Sequence, residues 1–88
     1  MEAVCTFHTT HGAIVGEKIL LEAGIKVRVM ALPSILGAGC GICLRIDAEA
    51  LEDSSRLLAA ADIHPQGVYY KMIESGQTRY EPAGSDPG

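Results

Sequence analysis

The chain has 88 residues, 48% hydrophobic and 20% charged, which suits one globular domain with a two-layer core and leaves no room for separate cofactor and substrate domains. Its net charge of −4 argues against holding nucleic acid or an anionic membrane by bulk electrostatics, and about half of that charge lies in the tail, where Glu74, Glu81 and Asp86 outnumber Arg79. No apolar run approaches the roughly 20 residues of a membrane span, Met1-Glu2-Ala3-Val4 lacks the segments of a secretory leader, and three cysteines do not make a disulfide framework, so a reducing cytoplasm is the expected compartment.

Residues 3–8 predict a first strand, with Ala3, Cys5 and Phe7 on one face and Val4, Thr6 and His8 on the other. In the following Thr9-Thr10-His11-Gly12, a threonine can cap a helix by accepting from its unpaired N–H groups. Helical spacing runs over 13–23, burying Ala13, Gly16, Ile19, Leu20 and Ala23 and leaving Lys18 and Glu22 outside, with Gly24 as the stop. Residues 26–32 predict a second strand in which Val27, Val29 and Ala31 alternate with Lys26, Arg28 and Met30.

Next comes the stretch on which the chemistry turns, residues 32–43, where Gly37, Gly39 and Gly41 surround Cys40. Glycines adopt positive φ at little cost, so the backbone can fold tightly around this cysteine and leave its sulfur reachable. Ile42, Leu44 and Ile46 then alternate with Cys43 and Arg45 as a third strand. Asp47 is the expected N-cap of a second helix over 48–61, with Leu51, Ser54, Leu58 and Ala61 inward and Leu57 at the edge. A turn over 62–67 leads to a last strand over 68–73. Beyond Glu74 the composition shifts to Gly, Pro, Ser and charge, which predicts a flexible C-terminal tail over 74–88.

The order β-α-β-β-α-β over 1–73 is met most economically by one α+β domain, a ferredoxin-like two-layer sandwich with both helices on one sheet face. In that topology the first and third strands are antiparallel neighbours in the middle of the sheet. The end of strand one, the start of helix one and the Cys40 loop then share an edge, which sets Cys40 beside His8, Thr9, Thr10 and His11. His64, before Pro65, is expected at the other end of the fold as turn chemistry.

The thiolate is the reactive form of cysteine, and the opening N–H groups of a helix attract anions. These groups, with His11 or His8 as a proton-sharing partner, favour a thiolate, persulfide or selenide anion on Cys40. Cys40 and His11 are therefore the candidate reactive residues, with Thr10, Gly39 and Gly41 as binding residues, and no metal or cofactor is assigned. Cys40-Gly41-Ile42-Cys43 is also a C-x-x-C, but in a strand its sulfurs lie roughly 10 Å apart on opposite faces. Closing it into a dithiol needs a tight turn over Gly39 to Gly41, and a zinc site needs both His8 and His11 as well.

The helix-free sheet face carries Arg28, Arg45 and Lys71 among Thr6, Met30 and Cys43. Its central strands lack the aromatic residues of an RNA-binding sheet, so nucleic acid is not expected there. Half-apolar and uncovered, the face is a candidate for homo-oligomerisation.

Phe7, Thr10-His11, Ala13, Glu17-Lys18, Ala23-Gly24-Ile25, Pro33, Cys40-Gly41 and Leu44-Arg45 together resemble a family of small bacterial domains described as selenium/sulfur carrier-like proteins. The resemblance covers residues 3–70, and Thr-His before helix one and Cys-Gly entering strand three are its most specific parts. It implies that Cys40 carries the chalcogen with His11 as its neighbour, and that the partners are sulfur or selenium donor and acceptor proteins. Ser34 stands where the family often has a basic residue, and Cys43 is an addition to the pattern. The expected role is a cytoplasmic shuttle and not a multiple-turnover enzyme. Two rivals stand beside it: a non-catalytic ligand-binding or oligomerisation module, and a small metal-binding protein using Cys40, Cys43 and the two histidines.

Overall fold

In the computed structural model, which describes residues 1–37 and 39–83, the chain begins with β1 (Glu2–Thr6), α1 (Thr10–Glu22) and β2 (Val27–Ala31). A 3-10 turn at Ser34–Leu36 precedes β3 (Ile42–Asp47), and a second at Ala48–Ala50 leads into α2 (Leu51–Ala60). Two further strands close the order, β4 (Gly67–Glu74) and β5 (Gln77–Pro82). The result is an α+β fold with one five-stranded antiparallel sheet of order β2-β3-β1-β4-β5 and two helices.

The alternation read in β1 and β3 decides the centre of that sheet. Cys5 lies opposite Leu44 and Ala3 opposite Ile46, so the apolar members of both strands share one face. The helices cover that face, where Ala3, Cys5, Phe7, Ala13, Leu20, Leu44, Ile46 and Leu58 form the buried core. Burying a leucine such as Leu20, Leu44 or Leu58 contributes about 1.5–3 kcal/mol. Gly16 sets how closely α1 approaches, because a Cβ there stands 3.4 Å from both Leu44 Cδ1 and Leu58 Cδ2.

The helix ends follow their caps. α1 starts three residues before the expected point because Thr9 Oγ1 accepts from the Gly12 N–H at 3.0 Å, and the helix forms from Thr10 onward. It stops where Ile25 N–H donates to Leu20 O and Gly24 N–H to Leu21 O, with Gly24 at φ +82°. Ala23, expected on the buried stripe, is consequently exposed at the cap. Asp47 does not cap α2: it ends β3, and the 3-10 turn intervenes with Ala48 N–H donating to Met1 O at 2.9 Å. Ala61, expected inward, is the exposed C-cap of α2.

The largest difference is at the C-terminus. Residues 77–82 form β5 instead of belonging to a flexible tail, so the sheet has five strands where four were expected. Ser75 and Gly76, at φ +51° and +78°, make the two-residue turn whose twist suits an antiparallel hairpin. Tyr80 lies opposite Lys71, Ala83 N–H donates to Val68 O at 2.9 Å, and Arg79 bridges Glu74 and Glu81. A polar composition reads as a tail, but an edge strand needs only one buried side. The rest of the expected tail, 84–88, lies outside the described residues.

On the uncovered face Arg28 lies directly opposite Arg45, while Glu2 reaches Arg45 Nε at 3.4 Å and Lys71 Nζ at 3.6 Å. Like charges directly opposed across strands are destabilising. Replacing Arg28 with Glu should therefore raise stability by about 0.2–1 kcal/mol, read as a higher urea midpoint. An unchanged or lower midpoint would show that the arginine pair carries no strain.

Candidate functional site

Three chain segments meet at the end of the sheet where β1 finishes. β1 runs out at Thr6 opposite Cys43, where β3 begins, and opposite Gly67, where β4 begins. The β1–α1 junction, the loop between β2 and β3, and the turn before β4 therefore share this end. The His64-Pro65-Gln66 turn was expected at the opposite end. It lies here because β4 is antiparallel to β1, and Gln66 N–H donates to Thr6 O at 2.7 Å. His64 itself pairs with Asp62 Oδ1 at 2.8 Å in the exposed turn.

The Cys40 loop is tied down at two points. Leu32 N–H donates to Gly41 O at 2.9 Å across its base, and Cys40 N–H donates to Phe7 O at 3.3 Å, fastening it to the end of β1. The glycines divide the work. Gly37 and Gly41 adopt the positive φ expected of them, +88° and +92°. Gly39 does not, and serves close approach: a Cβ there stands 3.3 Å from Phe7 O, 3.2 Å from Leu32 Cδ2 and 3.4 Å from Gln66 Oε1. A side chain at 39 would require these neighbours to give by a few tenths of an ångström. Gln66, to which no sequence motif pointed, thus borders the loop through a contact set by strand pairing.

Cys40 is partly exposed, leans on the core, and donates its thiol to Ile42 O at 3.4 Å. His11 stands exposed in the opening turn of α1 at the same end of the sheet, as do His8 and Thr10 just before it. Among the described residues, no hydrogen bond joins Cys40 to His11, and the capping threonine is Thr9, not Thr10. The structure thus brings the segments together while leaving these side chains free of one another.

The other thiols are of a different kind. Cys43 faces the helix-free side opposite Thr6 and Met30, is fully buried, and donates to Ala31 O at 3.9 Å. Burial, and secondarily the nearby Cys40, pushes its pKa up. Cys5 is in the core, and desolvation, with a smaller contribution from Cys43, raises its pKa from 9.0 to about 12. All three cysteines are free. The Cys40 and Cys43 thiols turn to different carbonyls, Ile42 and Ala31, and are not joined in a disulfide. Among the described residues, no three His, Cys, Asp or Glu side chains gather as metal ligands.

Residues 2–70 match the model of the family described as "Putative Se/S carrier protein-like", and that span encloses Cys40 and every candidate residue around it. The chain belongs to this family. β5 lies beyond the matched span. Among curated proteins, the chain is 42% identical over 43 residues to the uncharacterized protein YtiA of Escherichia coli (strain K12). That stretch is 49% of this chain and 51% of the relative, so the match spans about half of each. No solved structure matches the chain. Among the described residues, no helix is long and apolar enough to cross a membrane.

Proposed function

We propose that this member of the Se/S carrier-like family accepts a sulfur or selenium atom on Cys40 and passes it to a partner protein. The observation that carries this reading is the contrast among the three thiols. Cys40 alone is partly exposed, on a glycine-framed loop inside the family match, while Cys5 and Cys43 are buried with raised pKa values. In the proposed step, the Cys40 thiolate attacks the terminal sulfur of a donor persulfide. A Cys40 S–S bond forms, the donor S–S bond breaks, and the donor leaves as its thiolate, so no oxidant is consumed. A selenium atom moves in the same way from a donor selenosulfide. Delivery repeats the exchange toward an acceptor nucleophile.

In this reading the opening N–H groups of α1, with Thr10 and His11, favour the anionic adduct, and Gly39 and Gly41 keep backbone and not side chains beside it. The chain acts as a shuttle in a reducing cytoplasm between donor and acceptor proteins. Its fold is read as a ferredoxin-like sandwich on which β5 is an added edge strand.

Intact-mass measurement before and after incubation with a low-molecular-weight persulfide tests the proposal. The expected result is a gain of one sulfur atom on the wild type, removed by dithiothreitol and absent from Cys40→Ala. A gain retained in Cys40→Ala moves the site to another residue. No gain on a folded wild type leaves a non-catalytic ligand-binding module as the better reading.

A further inference from the structure

We propose that the helix-free sheet face, centred on the cleft between Lys26, Arg28 and Arg45, is a docking surface for an acidic protein partner that presents carboxylates. The proposal rests on how charge is distributed over the fold. Lys26, Arg28, Arg45 and Lys71 share this face with Glu2 and Asp47, whereas the rest of the chain carries three cations against nine carboxylates. An acidic protein has thus gathered a net positive charge on one side of one sheet.

Only part of this charge is neutralised by carboxylates of the chain itself. Glu2 bridges Arg45 and Lys71, but among the described residues neither Lys26 nor Arg28 makes an ion pair, although Asp47 lines the same cleft. Arg28 and Arg45 are directly opposed across β2 and β3, an arrangement that disfavours the isolated fold. Glu2 offsets Arg45 from within the chain, but among the described residues Arg28 has no such partner, and a local rule left half-compensated is expected where an outside group supplies the rest. The cleft has a volume of about 130 Å³, and Lys26 and Arg28 at its edge are exposed to whatever enters it. Arg28, exposed and without an ion-pair partner among the described residues, offers a planar guanidinium fork of the kind that takes carboxylate oxygens in pairs, with Arg45 on the adjacent strand.

The same arrangement argues against the other occupants. A second copy docked face to face about a two-fold axis brings together two surfaces of the same net positive charge. A single nucleic-acid strand needs stacking partners beside the cations, and around the cleft the face holds Val4, Thr6, Cys43 and Arg45, its aromatic residues Tyr69 and Tyr80 lying across β1 on β4 and β5.

The test uses the full chain and a fluorescein-labelled peptide of about ten glutamates, read by anisotropy at low salt, where charges are little screened. The expected result is binding that weakens at least tenfold as salt is raised to physiological strength and beyond. Arg28→Glu and, separately, Lys26→Glu should each weaken it at least fivefold. Arg56→Glu on α2, which changes net charge equally, should leave it within twofold. Cys40→Ala should bind the peptide like the wild type, so failure here and failure of the carrier reading are separable. No peptide binding, or equal loss in Arg28→Glu and Arg56→Glu, overturns the proposal. So does tighter binding of a labelled oligothymidylate of equal charge, which makes the face a nucleic-acid surface. Sedimentation of the wild type as a dimer that Arg28→Glu dissociates overturns it in favour of a second copy.

Discussion

Limited alkylation of the native protein near neutral pH should label Cys40 first and leave Cys5 almost untouched. The nucleophile is the thiolate, so the rate scales with the fraction ionised as well as with access. Cys5 is 2% exposed and its pKa is pushed from 9.0 to about 12, so its thiolate population near neutrality is about a thousandth of that of an ordinary thiol. Cys43 is fully buried and shifted in the same direction, so it also trails. Cys40 is partly exposed in its loop, so the reagent reaches its sulfur. Peptide mapping after short exposure to iodoacetamide reads the order directly. Labelling of Cys43 or Cys5 ahead of Cys40 would remove the contrast on which the carrier reading stands. Loss of the order in denaturant, with all three thiols reacting alike, is the control that assigns it to the fold.

The same burial should make the protein unusually sensitive to alkali. Cys5 in the unfolded chain ionises near its ordinary value of 9.0, whereas in the folded chain it holds its proton to about 12. Between those values the folded state binds more protons than the unfolded state, so stability falls as pH rises. Below the ordinary value both states are protonated and the group contributes no pH dependence. About three pKa units correspond to about 4 kcal/mol by the top of that window, a large part of a small domain's stability. Urea denaturation at a series of pH values compares wild type with Cys5→Ala, which subtracts the titration of the tyrosines and lysines. The wild type should lose more stability than the variant, most of it above pH about 9. Parallel losses in the two proteins would show that Cys5 ionises in the folded state as readily as in the unfolded one.

The carrier reading and the docking reading assign different jobs to different parts of one sheet. Cys40 lies at the end where β1 finishes, whereas Arg28, Arg45 and Lys26 lie toward the end where Glu2 begins β1. A partner that seats its carboxylates on the basic face would approach along the strands and leave the Cys40 loop at its margin. Arg28→Glu would then slow protein-to-protein chalcogen transfer while leaving loading from a small persulfide unchanged.

The sequence by itself determined the elements whose signal is local. Alternation placed Cys5 and Phe7, and with them Leu44 and Ile46, on one face, because with a period of two a one-residue slip of register would turn either set outward. Helical spacing marked Ala13, Gly16, Leu20 and Leu58, and the Thr-Thr-His-Gly stretch marked the start of α1 to within a few residues. The glycines around Cys40 marked a tight loop, and the β-α-β-β-α-β order brought that loop to the end of β1, where Cys40 N–H meets Phe7 O. Tertiary structure alone decided the rest, because it depends on which strand lies beside which. β5 is a strand through its pairing with β4, not through its composition. Gly39 matters because Phe7 and Gln66, distant in sequence, close around it, and Asp47 loses its expected cap because Ala48 is drawn to Met1. The opposition of Arg28 and Arg45 is invisible until the register of β2 on β3 is known, since charges seventeen residues apart interact only when strand pairing sets them side by side.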